Sequence, residues 1–505
     1  MKQIKRALIS VFHKDGILDI AKKLLLSDVE IISTGGTAAF LMENGIKVTA
    51  VEDLTGYPSI LGGRVKTLHP AIFGGILGRR GNPADMEEFG RWSISPIDLV
   101  VVDLYPFEEY VAKGASRQEI IEKIDIGGIS LIRAAAKNYQ DVAIVSSKDQ
   151  YGFLLSALEE NGCATSLSQR QYLATLAFGV SSAYDSAIFN WLNGNVQAAA
   201  FGVFHNRAKV LRYGENPHQK GCYFGNSESL PTQIHGKELS HNNLLDVEAA
   251  IELISDFSAP AVAIIKHNNA CGCATDENIL QAWDKALAGD PVSAFGGIIA
   301  CNRRVEKELA EKMGSLFFEV CIAPSYSEEA LEVLRIKKNR ILLVNGNPTL
   351  PALKFRSLLG GVLVQERDCK TETEEDLTVC TQTPVRKEDI EDLLIANKLV
   401  KHSKSNAIVL VKNRQLIGSG VGQTSRVDAL RQAIAKAHSF GFSTDGAVMA
   451  SDAFFPFGDC VKIAFKNGIM AVIQPGGSIR DKESIDFCNQ HNMAMVMTGT
   501  RHFKH

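Results

Sequence analysis

The chain has 505 residues, 45% hydrophobic and 22% charged, which exceeds one ordinary hydrophobic core and predicts two to four folded domains. A formal net charge of -3 and a pI near 6.5 argue against a generalised nucleic-acid or anionic-membrane surface, leaving phosphate recognition to local pockets. No apolar run reaches membrane-spanning length, and the apolar run after Lys2, Lys5 and Arg6 stops at His13–Asp15, too soon for a secretory signal. All ten cysteines are scattered from Cys163 onward, the pattern of reduced thiols, so the cytoplasm is expected. The close pair Cys271 and Cys273 lacks matching ligands and reads as thiols, so no metal is expected.

Through the first 160 residues, β-branched runs alternate with amphipathic stretches, the pattern of parallel strands joined by helices. The expected strands are 4–11, 29–33, 46–51, 99–104 and 142–146; the expected helices are 17–26, 37–44, 128–137 and 151–159. A long helical stretch over 168–192 leads to a domain junction near 195–200. The remainder, 200–505, again mixes strands and helices, with 261–265, 297–301, 408–411, 416–421 and 469–473 as the clearest strands and a hairpin turn at Asn413–Gln415. The layouts before and after about Pro351 hint at a duplicated unit, although no fixed-period repeat is evident.

In an open α/β sheet, ligands sit beyond the carboxyl ends of the strands. Ser33, Thr34, Gly35, Gly36 and Thr37 follow a strand and open a helix, where backbone N–H groups and hydroxyls can cradle an anion, or simply make a turn. Arg64, Lys66, Thr67 and His69 alternate with apolar residues after two glycines and can converge on a phosphorylated ligand; the alternative is a solvated basic loop. Asp103-Leu104-Tyr105 ends a strand, so Tyr105 projects toward the same crevice or else packs as an aromatic with a capped hydroxyl, whereas Lys137, on spacing alone, reads as a helix C-terminal charge.

Further on, Lys266–His267 ends an apolar run at a strand mouth. A cationic neighbour there favours a neutral imidazole able to take a proton from an amine, while the lysine can bind an oxyanion; a solvent-facing pair is the alternative. Arg212–His218, Ser405–Asn406, Gln423–Arg426 and Ser451–Asp459 add polar groups, and Phe454, Phe455 and Phe457 beside an acid suit a flat heteroaromatic or else belong to the core.

The strings GGRVKTLHP, DIGGISLIRAAAKN, LRYGENPHQ, KHNNACG and SDAFFPF, in this order across Ser10–His505, closely resemble the AICAR transformylase/IMP cyclohydrolase family. The resemblance implies a methylglyoxal-synthase-like α/β domain over about 1–195 carrying the cyclohydrolase. It implies two cytidine-deaminase-like α/β units over 200–505, split near 350, carrying the transformylase. It also implies an intertwined homodimer with transformylase sites at the interface. Ser10, Lys14, Ser33, Thr34, Gly35, Gly36, Thr37, Arg64 and Thr67 would hold the cyclohydrolase nucleotide, with Asp103, Leu104, Asp125 and Ile126 beside it. Lys66, Tyr105, Asp125 and Lys137 would assist closure of FAICAR to IMP. In the transformylase, Lys266 and His267 match the catalytic pair, with Asn406 alongside. Arg212, Tyr213, Gly296, Arg426 and Arg501 match nucleotide positions for AICAR, and Phe454 and Asp459 match contacts to the cosubstrate 10-formyltetrahydrofolate.

Some positions depart from the family strings: Phe12–His13 stands where Ser-Asp is common, Ala270 where Pro is frequent, and Glu319 where an Asp usually contacts nucleotide, while Gly458 and Cys460 flank Asp459 unusually. Two other readings compete. A zinc deaminase would need HxE followed by PCxxC, and neither string occurs; a non-catalytic nucleotide sensor would use the first domain's phosphate cradle alone.

Overall fold

The computed structural model describes residues 1–194, 200–205, 208–226, 229–346 and 350–505. The chain falls into two compact units, Met1–Arg207 and Ala208–His505. Residues 195–199, at the junction expected from the sequence, lie outside the described residues.

The first unit is built on five parallel strands, β1 (Arg6–Ser10), β2 (Glu30–Ser33), β3 (Thr49–Ala50), β4 (Leu99–Val102) and β5 (Ala143–Val145), in the order β3-β2-β1-β4-β5. The strand expected over 46–51 shortens to β3 because Val51 opens a helix. The strands β1, β2, β4 and β5 are apolar on both faces, as a sheet covered on both sides requires. Ala7, Ile9, Ile31, Val101 and Val145 pack on one side with Ile17, Ile20 and Leu24 of α1 (Ile17–Leu25), while Leu8, Ile32, Val100 and Ile144 pack on the other with Ile72 and Ile76 of α3 (Pro70–Leu77). α2 (Gly35–Glu43) follows β2 directly. α4 (Gly127–Lys137), α5 (Tyr151–Glu160) and α6 (Leu167–Asn193) complete the layers, α6 starting in a reciprocal Ser166–Gln169 capping box.

The second unit contains one twelve-stranded sheet assembled from two repeats. After β6 (Thr232–His235), the first repeat runs α7 (His241–Ser255), β7 (Ala261–Lys266), β8 (Asn269–Thr275), α8 (Ile279–Gly289), β9 (Ile298–Cys301), α9 (Lys307–Gly314), β10 (Val320–Ala323), α10 (Glu328–Arg335) and β11 (Ile341–Val344). After β12 (Thr378–Val379), the second runs α11 (Lys387–Lys401), β13 (Ile408–Lys412), β14 (Gln415–Gly420), α12 (Arg426–Ser439), β15 (Val448–Ser451), α13 (Asp459–Lys466), β16 (Ala471–Gln474), α14 (Asp481–Gln490) and β17 (Ala494–Met497). The order is β6-β11-β10-β9-β7-β8-β14-β13-β15-β16-β17-β12, so β8 and β14 join the repeats at the centre. Val247, Ile251 and Ile254 of α7 and Leu393, Leu399 and Val400 of α11 cover one face together. On the other face, Trp283 and Ala286 lie over the first repeat, and Leu430 and Ala433 over the second.

The duplication is exact in spacing at its best-matched stretch. Lys266 and Lys412 each end the first strand of a hairpin, and Gly272 and Gly418 occupy the second strand, both pairs 146 residues apart (266 to 412, 272 to 418). Both glycines are dictated by close approach: an added Cβ would fall 2.1 Å from Ala286 O at Gly272 and 2.2 Å from Ala433 O at Gly418. Between the repeats, the hairpin Leu353–Leu358/Gly361–Glu366 carries exposed Phe355, Leu359, Val362 and Leu363.

Candidate active sites

In the first unit the polar residues expected from the sequence gather at the carboxyl ends of β1, β2 and β4. Ser10 Oγ and Thr34 Oγ1 are 2.8 Å apart, and Ser33 Oγ donates to Ile9 O at 2.7 Å. Lys14 Nζ donates to Thr37 Oγ1 at 2.9 Å and to Val11 O; burial holds this lysine below its ordinary range, partly offset by Asp103. At Gly35, φ is 40° and an added Cβ would stand 3.3 Å from Lys66 Nζ, so the absence of a side chain lets the ammonium lie against the backbone where α2 begins. Thr67 Oγ1 would be equally close to a Cβ at Gly127, which brings the 64–67 loop to the start of α4. Arg64 pairs with Glu122.

Asp125 sits just before α4. Its Oδ1 accepts from Gly128 N at 2.6 Å, and its own N–H donates to Tyr184 Oη at 2.8 Å. Burial, with Asp103 nearby, raises its pKa despite backbone N–H donors from Gly128, Tyr105 and Ile129. A carboxyl raised in this way can exchange a proton closer to neutrality than an exposed aspartate. Tyr105 is raised too, by burial and then by Asp125. Asp103 accepts from Phe12 N, from His13 N at 3.0 Å and from His13 Nδ1 at 2.7 Å. The Phe12 ring meets Tyr105 edge-on at 5.7 Å, and Lys123 Nζ lies about 6 Å from both rings. The departure at positions 12 and 13 therefore builds an aromatic shelf and a His–Asp pair beside the crevice. Leu104 is buried, whereas Ile126 is exposed.

Lys137 does not join this cluster. It ends α4, a full 11-residue helix from Asp125, about 16 Å at 1.5 Å per residue. There it lines an open groove of about 670 Å³ with Arg133, Tyr139, Gln171, Thr175 and Phe178.

In the second unit, strand registers bring the expected residues to one edge of the sheet. β7 ends there at Lys266 and β9 begins there, since Ile265 pairs with Ile298, and β10 begins there too. In the other repeat β13 begins at this edge, where β14, β15, β16 and β17 end. Lys266, Gly296, Glu319, Asn406, Arg426, Phe454 and Arg501 thus lie at or next to strand ends on that edge.

His267 and Asn268 form a two-residue turn between β7 and β8, closed by the Lys266–Asn269 pair, with φ of 50° and 64°. Two left-handed residues are what a type I′ hairpin demands, and for side chains such as His each costs about 1–2 kcal/mol. Asp246 Oδ1 accepts from Asn268 N at 2.7 Å, Asn269 Nδ2 donates to His267 O at 2.8 Å, and Asn269 Oδ1 accepts from Lys404 N at 2.9 Å. One asparagine therefore ties the Lys266–His267 turn to the segment carrying Asn406, whose Nδ2 donates to Gln423 O at 2.9 Å. Lys266 Nζ donates to Phe295 O at 2.9 Å and packs on Gly296, where φ is 69°.

Glu319 accepts from Asn243 Nδ2 at 3.3 Å and pairs with Lys237 at 3.2 Å; burial opposes its charge, but Asn243, Lys237 and Arg212 hold its pKa below the usual range. Arg212 stacks on Tyr213 at 5.5 Å. Arg426 is aimed by Ser451 Oγ and Asp452 Oδ1, at 3.1 and 3.0 Å, and its guanidinium shares the Phe503 ring with Arg501. Phe455 is core at 0% exposure, while Phe454 at 36% and Phe457 at 49% are available to a ligand, Phe457 under Arg480 at 4.9 Å. Asp459 starts α13, and burial, then Asp459, pushes the neighbouring Cys460 thiol up to about 12. Ala270 lies in β8, paired with Ile265, and Gly458 is the N-cap of α13. Sequence reasoning missed Lys237, Asn243 and Asp246, which carry no motif of their own and are recruited through the fold, and it gave Asn269, inside the KHNNACG string, no role of its own. Among the described residues no group of three or more His, Cys, Asp or Glu is placed to hold a metal ion, and no helix is long and apolar enough to cross a membrane.

Two family models match the chain: the MGS-like domain over residues 16–130 and the AICARFT/IMPCHase bienzyme over 135–436. Proteins named bifunctional purine biosynthesis protein PurH are similar throughout. That of Bacteroides thetaiotaomicron is 59% identical over 100% of this chain and 99% of its own; those of Persephonella marina and Rhodospirillum rubrum are 47% and 48% identical over 99% of this chain and 100% and 99% of theirs. Among solved structures, ForH is 34% identical over 37% of this chain and 99% of its own, at a TM-score of 0.33. With its methylglyoxal-synthase-like first unit and its duplicated second unit, the chain belongs to the AICARFT/IMPCHase bienzyme family.

Proposed function

We propose that the second unit transfers the formyl group of 10-formyltetrahydrofolate to the 5-amino group of AICAR and that the first unit closes the product, FAICAR, to IMP. The observation that carries this reading is the tie Asn269 makes between His267 O and Lys404 N, which joins the Lys266–His267 turn to the segment carrying Asn406, on the sheet edge that also holds Gly296, Glu319, Arg426 and Arg501.

In formyl transfer the amine nitrogen attacks the formyl carbon, the bond from that carbon to the folate nitrogen breaks, and tetrahydrofolate leaves. His267 takes the proton that the amine loses, and Lys266 stabilises the oxygen of the tetrahedral intermediate. Arg212, Tyr213, Glu319, Arg426 and Arg501 hold the nucleotide, while Phe454 and Asp459 receive the pterin, the ring against the aromatic face and the carboxylate accepting its N–H groups. In ring closure the carboxamide nitrogen of FAICAR attacks its own formyl carbon, and the formyl oxygen departs as water after two protons reach it. Ser10, Lys14, the 33–37 segment, Arg64 and Thr67 fix the nucleotide, with Asp103, Leu104 and Ile126 beside it. Lys66, Tyr105 and Asp125 move protons, a task suited to the raised carboxyl of Asp125.

Lys137 belongs to the same chemistry but stands a helix length from Asp125. A homodimer in which Lys137 of one copy completes the crevice of the other reconciles the two, and the exposed apolar residues of the 353–366 hairpin suit burial between copies. Free cysteines throughout are in keeping with a cytoplasmic enzyme.

The test is incubation of purified protein with AICAR and 10-formyltetrahydrofolate, following tetrahydrofolate by absorbance and IMP by mass spectrometry. Both products are expected. Tetrahydrofolate with FAICAR alone would remove ring closure, and nucleotide binding without either product would leave a nucleotide sensor.

A further inference from the structure

The second unit contains the same device twice, once on each side of the repeat. In the first repeat Asp246, sixth residue of α7, accepts from Asn268 N at 2.7 Å, and the His267 N–H also points at this carboxylate. In the second repeat Asp392, sixth residue of α11, accepts from Asn413 N at 2.8 Å and Arg414 N at 2.6 Å. Asn413 and Arg414 have φ of 52° and 63°, so both turns have the same left-handed backbone. The spacing from aspartate to turn is 21 residues in each (246 to 267, 392 to 413). Both carboxyls are raised above the ordinary range by burial and are bound chiefly by backbone N–H groups.

The turns differ in what their side chains do. Arg414 pairs with Asp276 at 3.2 Å, and Lys285 Nζ donates to Asn413 O at 3.0 Å, so the second turn is tied into the seam between the repeats. Among the described residues the His267 ring has no hydrogen-bond partner, and the turn is instead braced from its other side by Asn269, through His267 O and Lys404 N.

We infer that Asp246, with Asn269 opposite it, is a positioning residue for formyl transfer: the clamp that in the second repeat only fixes a turn has in the first repeat become the mount that aims His267. The inference rests on the catalytic reading of His267. Neither residue touches the reacting atoms. Asp246 fixes the two N–H groups of the turn, Asn269 fixes its carbonyl, and together they hold a strained backbone whose relaxation would swing the imidazole away from the amine.

Asp392 supplies an internal control. Asp246→Ala should lower kcat for formyl transfer by about 10²-fold, the typical cost of roughly 1 Å of misplacement, and leave KM for AICAR and folate within about 2-fold. Asp246→Asn keeps an acceptor for the Asn268 N–H and should recover most of that loss. Asn269→Ala should lower kcat by a similar factor, and it serves as the probe if Asp246→Ala does not fold. Asp392→Ala should lower the melting temperature yet keep kcat within about 3-fold. Circular dichroism and the melting temperature, measured on every variant, report whether the second unit is folded, and ring closure of FAICAR serves as the activity of the unaltered first unit. Retention of full kcat by Asp246→Ala, or an equal kcat loss in Asp392→Ala, would overturn the inference by making the clamp inert or merely architectural. His267→Ala separates the two layers: full activity there would sink the catalytic reading, whereas an inactive His267→Ala beside an active Asp246→Ala would sink the positioning role alone.

Discussion

Asp125→Asn and Lys137→Ala, introduced into separate chains and then combined, test whether ring closure draws on two copies. The residues bracket α4, about 16 Å long from its 11 residues, whereas a general acid or base must come within about 3 Å of the proton it moves. Where the partner completes the crevice, each variant alone is inactive. A mixed dimer then has one crevice with both lesions and one with neither. Random exchange at equal amounts makes half the dimers mixed, each with one of two crevices intact, so about one quarter of wild-type activity should return. The assay is IMP formation from FAICAR after subunit exchange, with differently tagged chains to confirm mixed dimers and formyl transfer to normalise the amount of protein. Mixed dimers that recover nothing above the single variants would refute sharing of Lys137 between copies.

Three further outcomes follow from other parts of the molecule. His267→Ala should slow formyl transfer by about 10²–10⁴-fold, as expected for a lost general base, and leave closure of FAICAR unchanged in the same preparation. Burial of His502 opposes its charge, but Asp368 at 2.6 Å and Glu372 at 3.1 Å outweigh it and raise the imidazole from 6.5 to about 9. The charge-linked stabilisation, about 3 kcal/mol, is therefore complete below pH 6.5 and lost as pH rises through about 9; urea unfolding should show His502→Gln most penalised at pH 6 and least at pH 10, and an equal penalty at both would contradict the assignment. Gly418→Ala would place a methyl 2.2 Å from Ala433 O and should cost about 1–3 kcal/mol in the same assay, with no change in m-value.

The parallel first unit was legible because its strands read as short β-branched runs and its helices as amphipathic ones, two periods that cannot be confused over this length. The 33–37 segment was legible as glycines and hydroxyls after a strand, a pattern that serves a plain turn as well as an anion; the structure sets it between the end of β2 and the start of α2. Phe455 shows the limit of composition, since three phenylalanines in four residues divide into one core ring and two exposed ones, a division set by the backbone turn after β15. Lys137 shows another. Its string matches the family as well as that of Asp125, yet adjacency in a motif says nothing about which end of a helix faces a ligand. Asp246 was invisible because a mid-helix aspartate normally reads as solvent-facing, and its partners His267 and Asn268 lie 21 and 22 residues on, across a strand.

The duplicated sheet explains why the residues proposed for formyl transfer are scattered along the chain. Because the repeats meet antiparallel through β8 and β14, the edge where β9 and β10 begin is the edge where β15, β16 and β17 end. The residues proposed to bind ligand accordingly precede strands in the first repeat at Gly296 and Glu319 and follow strands in the second at Phe454 and Arg501, while Asn406 precedes β13. Two copies of one fold, joined this way, offer two edges of mirrored composition, and the side chains decide which is used. At the second hairpin Arg414 and Lys285 converge on Asp276, consuming the charges a ligand would need. At the first, Lys266 is held by the Phe295 carbonyl, and among the described residues the His267 ring has no hydrogen-bond partner. On the proposed reading, the asymmetry that makes one edge catalytic resides in a few substitutions within a shared backbone, with the turn-binding aspartate present on both sides.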